Sequence, residues 1–77
     1  MFQSLELDGK KIAYHEHTEF LVQIGRGQKG GYVTRYKITG NLLQAVLYYR
    51  AINIGNGYKK RLLMPSANKP LLARATS

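Results

Sequence analysis

Hydrophobic and polar positions alternate with a period of two along most of the first half of the chain, which is the spacing of half-buried strands. Residues 2–7 place Leu5 and Leu7 on one side, and residues 11–16 place Ile12 and Tyr14 on one side. Residues 19–24 set Phe20, Val22 and Ile24 against Leu21 and Gln23. Residues 32–38 set Tyr32, Thr34, Tyr36 and Ile38 against Val33, Arg35 and Lys37. Asp8-Gly9 separates the first two runs. It predicts a two-residue hairpin, because a type I′ turn needs positive φ at both central positions. Four glycines fall between Gly25 and Gly31 and predict a mobile hairpin tip with few side chains to pack.

The period then changes. Leu42, Leu43, Val46, Leu47, Tyr49 and Ile52 recur at helical spacing and predict a broad apolar stripe. Asn41 directly precedes them and is the expected N-cap, and Gly55-Asn56-Gly57 is the expected stop. Tyr58 to Met64 form a predicted strand that begins basic and ends apolar. Pro65 to Pro70 form a loop and Leu71 to Ala75 a last short strand. The predicted order is ββββαββ. That is an α+β fold: a mostly antiparallel sheet of five to six short strands with one helix packed on one face. The expected core joins the helix stripe to Leu5, Leu7, Ile12, Tyr14, Phe20, Val22, Ile24, Tyr36, Ile38, Leu62, Met64 and Leu72. The other sheet face is left open or buried in a homo-oligomer. No repeat or linker interrupts the 77 residues, so residues 1–77 are expected to form a single domain.

Composition narrows the classes. There is no cysteine to staple so small a domain, which makes a compact core or self-association its expected support. No apolar run approaches the roughly 20 residues of a membrane span. The N-terminal segment, with acids and no basic leader, is not expected to be a signal peptide. A cytoplasmic protein without a membrane partner is the expectation.

Charge changes the picture most. Twelve Lys/Arg against four Asp/Glu give a formal charge of +8. The acids Glu6, Asp8, Glu16 and Glu19 all lie in the first nineteen residues. From residue 25 onward every charged residue is a cation: Arg26, Lys29, Arg35, Lys37, Arg50, Lys59, Lys60, Arg61, Lys69 and Arg74. Such asymmetry implies a polyanion or an acidic protein surface as partner.

Candidate chemistry is sparse. His15 and His17 would share a face of a strand, with Glu19 nearby, but two exposed histidines are more simply polar surface. There is no cysteine, and no serine in a Gly-x-Ser-x-Gly setting. The four acids fall on short strands and turns where solvation accounts for them. The expectation is therefore no enzyme, no cofactor and no metal. The Gly25–Gly31 loop is not a dinucleotide or P-loop, since a strand and not a helix follows it. The order of elements does not match the helix-first double-stranded-RNA-binding domain, and no RNA-recognition motif sequence is present. Lys59-Lys60-Arg61 is the densest basic run, expected to face solvent. Tyr32, Tyr36 and Tyr58 interleave with Arg35, Lys37 and Lys59. Aromatic rings among cations suit single-stranded nucleic acid, where stacking contributes roughly 1–3 kcal/mol per base. The candidate binding residues are Arg26, Lys29, Arg35, Lys37, Tyr58, Lys59, Lys60 and Arg61. Two readings follow. The chain is a non-enzymatic accessory protein that contacts a DNA or RNA backbone. Alternatively it is a protein-binding inhibitor or adaptor that docks on an acidic surface of a nucleoprotein complex, as phage or mobile-element anti-CRISPR proteins do.

Overall fold

Two turns and one helix cap fix the sequence of elements in the computed structural model, which describes residues 2–76. Strand β1 (Phe2–Leu7) turns into β2 (Lys10–His15) through Asp8 and Gly9. Both adopt positive φ, 50° and 79°, as the two-residue hairpin requires. Strands β3 (Glu19–Arg26) and β4 (Tyr32–Thr39) follow, then helix α1 (Leu42–Ala51), strand β5 (Tyr58–Met64), one 3-10 turn and strand β6 (Lys69–Ala75). The Asn41 side chain caps α1 by accepting the Gln44 N–H at 3.0 Å, satisfying one of the free donors of the first turn.

The result is the α+β order ββββαββ with every pairing antiparallel. The strands divide into two sheets, the β1–β2 hairpin and a four-stranded sheet in the order β4-β3-β5-β6. The hairpin and α1 together cover one face of the larger sheet. Leu7, Ile12 and Tyr14 from the hairpin join Leu42, Ala45, Val46 and Tyr49 from α1, packed on Phe20, Val22, Ile38, Leu62 and Met64 of the sheet. Tyr14 meets Phe20 edge-on at 5.5 Å, a favoured aromatic geometry. Among the described residues no layer covers the opposite face of the four-stranded sheet. Strand β6 begins at Lys69, so Pro70 lies within this outer strand and not in the preceding loop, as an edge strand permits.

The structure corrects the phase of the helix. Its buried residues are Leu42, Ala45, Val46 and Tyr49, the i, i+3, i+4, i+7 set. Leu43 and Leu47 are 54% and 55% exposed. The large apolar residues overstate the width of the stripe, and Ala45, too small to stand out in the pattern, sits at its centre. Tyr36, expected inward, is also exposed; its ring stacks on Tyr48 at 4.8 Å. Nor do the glycines stop the helix. It ends at Ala51, and Ile52 is already extended.

This phasing has a direct consequence. Leu42→Ala should cost about 2–5 kcal/mol of unfolding free energy, as a buried leucine does. Leu47→Ala should change it by less than about 0.5 kcal/mol, as an exposed site does. Urea denaturation of both variants checks this, and equal losses would contradict the phasing.

Candidate functional site

The open face of the four-stranded sheet is built in cross-strand rows, because residues directly opposite on antiparallel strands share a face. At the end nearest the β3–β4 tip, Tyr32, Gly25, Lys59 and Ala75 lie in line across β4, β3, β5 and β6. The next row is Thr34, Gln23, Arg61 and Ala73, and the row beyond joins Lys37, Leu21 and Leu63.

Within these rows the side chains are tied together. Arg61 Nε–H donates to Gln23 Oε1 at 2.6 Å, and Gln23 Nε2–H donates to Thr34 Oγ1 at 3.1 Å. The Arg61 guanidinium lies 3.8 Å from the centroid of the Tyr32 ring, and Lys59 Nζ lies 4.6 Å from the same centroid. Lys59 reaches that position by crossing over Gly25. A Cβ on Gly25 would stand 2.6 Å from Lys59 Cε and 2.9 Å from the Gly31 carbonyl oxygen. Glycine here therefore opens a passage for the lysine. Lys59 Nζ continues to the tip, donating to the Gln28 and Gly30 carbonyls at 3.1 and 2.7 Å. The Gly27 N–H donates to the Gly57 carbonyl at 2.7 Å. These hydrogen bonds join the tip, expected from its glycines to be mobile, to Lys59 and Gly57.

The candidate residues separate into distinct places. Lys59, Arg61 and Lys37 lie on the open face, where Lys37 pairs with Glu19 at 3.0 Å. Lys29 is exposed on the tip. Arg26 and Tyr58, opposite each other, lie on the helix side of the sheet, the guanidinium 5.7 Å from the ring centroid. A register shift in β4 between the partners of Val22 and Gln23 leaves Arg35 as the extra residue. It turns toward the helix side, beside Ile24, Ile54 and Tyr58.

Lys60 requires a correction. It is not part of a solvated basic run but is buried, 6% exposed. Its neighbours Lys59 and Arg61 point to the open face, so strand alternation sends Lys60 inward. There its ammonium donates to the Tyr49 and Ile52 carbonyls at 2.7 and 2.9 Å, at the C-terminal end of α1, and lies 4.4 Å from the Tyr49 ring centroid. A cation at this end satisfies orphan carbonyls and opposes the negative pole of the helix dipole. Burial, with help from the nearby Arg74 guanidinium, still holds the Lys60 pKa below the ordinary lysine value. Burial likewise raises the Tyr49 phenol, and here Arg74 opposes the shift.

The histidines are also placed differently. Strand β2 ends at His15, and His17 lies in the turn beyond it, so the shared strand face does not extend to both. The His17 backbone N–H donates to His15 Nδ1 at 3.0 Å, which occupies one of the ring nitrogens. Among the described residues no group of three or more metal-binding side chains occurs. Sequence reasoning left Gln23, Arg50 and Arg74 out of the candidate set. Gln23 shows no signal in a linear pattern, and its role comes from its row partners.

Eight of the twelve cations gather toward one end of a molecule 40 Å long. Arg26, Lys29, Arg35, Arg50, Lys59, Lys60, Arg61 and Arg74 lie in the half that holds the hairpin tip and the helix C-terminus. Glu16 and Glu19 lie toward the other end, where β3 begins. Among the described residues no helix is long and apolar enough to cross a membrane. Comparison with protein-family models, with curated proteins and with solved structures gives no match.

Lys60→Met should destabilise the fold by about 1–3 kcal/mol, chiefly through the Ile52 carbonyl that loses its lysine donor, since the Tyr49 carbonyl keeps the Ile52 N–H. Arg61→Gln, at a surface row, should cost less than about 1 kcal/mol. Thermal and urea unfolding measure both, and a Lys60→Met protein as stable as the native one would remove the cap from the argument. The pKa shifts give a second expectation. Between the lowered Lys60 midpoint and the ordinary value of 10.5 the unfolded chain binds more protons at this site than the folded one. Lys60 alone therefore makes stability rise with pH through that window, whereas the raised Tyr49 phenol makes it fall above about 10.0. In Arg74→Gln both midpoints should move up, since Arg74 lowers both. NMR titration of the Lys60 Cε and Tyr49 Cζ signals checks the direction.

Proposed function

We propose that this chain is a non-enzymatic nucleic-acid-binding protein that lays a single strand across the open sheet face, with DNA or RNA backbone phosphates on Arg61, Lys59 and Lys29. The observation that carries the reading is the Lys59–Tyr32–Arg61–Gln23–Thr34 array, in which partly exposed Lys59, Tyr32 and Arg61 lie over a buried Gln23. A ring flanked by cations on a flat sheet suits unpaired bases and the phosphates between them. Gln23 and Thr34 hold Arg61 in place and reduce the ordering cost of contact. Arg26, Arg35 and Tyr58 round the distal end and extend the positive surface to the helix side. A cytoplasmic setting fits this role.

A second reading has its own observation. Leu43 and Leu47 stand exposed on the outside of α1, and Tyr36 and Tyr48 stack in the open on its β4 side. An exposed apolar and tyrosine-rich ridge beside a basic end suits a protein partner of acidic character. On this reading the chain is an inhibitor or adaptor on a nucleoprotein complex. A second copy of the chain is the other partner such a ridge would take, and analytical ultracentrifugation of the pure protein distinguishes it.

Fluorescence anisotropy with a labelled single strand, repeated at several salt concentrations, tests the first reading. About five phosphate contacts at roughly 0.7 each give an expected log–log slope near −3.5. Arg61→Gln with Lys29→Gln should flatten it by about 1.4, with little loss of stability, while Leu43→Ser with Leu47→Ser should leave it unchanged. No binding of any strand at low salt sinks the nucleic-acid reading and leaves the docking ridge as the better account.

A further inference from the structure

A second basic feature lies away from the open face. Beyond the end of α1, the segment after Ala51 lines, with β5 and β6, a half-open pocket of about 150 Å³. Arg50, Ile52, Asn53, Ile54, Lys60, Arg74 and Thr76 line it. Three of these are cations, and none is a carboxylate. Lys60 forms a buried part of the wall, with two of its three N–H donors on helix carbonyls. Arg74 lies directly opposite Lys60 on β6. Arg50 arrives from the last turn of the helix. Neither arginine belongs to an ion pair among the described residues, where the pairs are Lys37–Glu19 and His17–Glu16.

Three cationic residues share the lining of this small cavity, and among the described lining residues there is no acid to relieve their repulsion. Two guanidinium groups present planar forks of donors, the geometry that fits a phosphate oxygen pair. Asn53 adds a side-chain amide. The pocket is far smaller than the roughly 300–1,000 Å³ typical of sites for drug-sized ligands. Its size suits a single tetrahedral group. We propose that this pocket is a binding site for one phosphate-type oxyanion, held chiefly by Arg50 and Arg74 against the Lys60 wall. The chemistry is shared by free inorganic phosphate and by the terminal phosphate of a nucleic-acid strand. Only the latter source rests on the nucleic-acid reading.

The test is a titration of the intact chain with inorganic phosphate at fixed ionic strength, with chloride as control, followed by two-dimensional NMR. Backbone amides of residues 50–54 and 74–76 and the Arg50 and Arg74 Nε–H signals should shift together and saturate, with no counterpart in chloride. Arg50→Gln and Arg74→Gln, both surface residues whose variants are checked for an unchanged fold by their spectra, should each weaken phosphate binding about tenfold or more. Shifts spread evenly over Lys10, Lys29 and the other exposed cations, no saturation, or unchanged affinity in both variants would overturn the site. A second arm compares one oligonucleotide with a 5′-phosphate, a 3′-phosphate or neither. Tighter binding of a phosphorylated form, lost in Arg74→Gln, assigns the site to a strand end. Equal binding of all three forms, or binding of none, beside a saturating phosphate titration assigns it to the free anion. The last case would also count against the nucleic-acid reading while leaving the pocket standing.

Discussion

The contact between Lys60 and the end of α1 is the constraint on which the arrangement depends. A ten-residue helix on a small sheet has little intrinsic stability, and its final carbonyls are orphaned wherever it stops. Here a lysine from β5 donates to the Tyr49 carbonyl of the last turn and to that of the cap residue Ile52. That side chain ties the end of the helix to β5. With Lys60 inward, Lys59 and Arg61 are sent to the other face together. The buried cap and the exposed array are thus two consequences of one strand register.

The open face depends on a similar economy. Lys59 reaches the hairpin tip only because residue 25 has no side chain. Its stem then lies along Tyr32, and its ammonium holds the Gln28 and Gly30 carbonyls. The same lysine therefore braces the tip, flanks the aromatic ring and contributes charge to the surface. Glycine at this point trades side-chain packing on one strand for a cross-strand path on the next.

The elements were legible in the chain because each has a local cause. Asp8-Gly9 makes its turn, Asn41 makes its cap, and alternation marks each strand. What the linear pattern missed was set by neighbours far away in sequence. Leu43 and Leu47 look like core until Ala45 is seen at the centre of the stripe, a choice made by the sheet beneath it. Lys59-Lys60-Arg61 looks like one basic patch, yet a strand cannot present three consecutive side chains to one side. That inference was available from periodicity alone. The identity of what lies on the inner side, a helix end in need of a cation, was not. Arg50 and Arg74 are 24 positions apart in the chain and meet only through the crossover from α1 to β5 and the β5–β6 pairing.

The last question is how half of a small protein tolerates so many cations with so few acids. Four of these eight side chains are balanced internally, but by neutral partners. Lys59 and Lys60 bind backbone carbonyls, Arg61 binds an amide oxygen, and Tyr32, Tyr49 and Tyr58 lie within cation–π range of Lys59, Arg61, Lys60 and Arg26. Such contacts orient and stabilise a cation without cancelling its charge. Carboxylate partners would have held the same side chains in place and removed the field. With dipoles and ring faces in that role, the interactions that order the surface leave its positive potential intact, and an anion arriving from solvent meets donors already fixed in position.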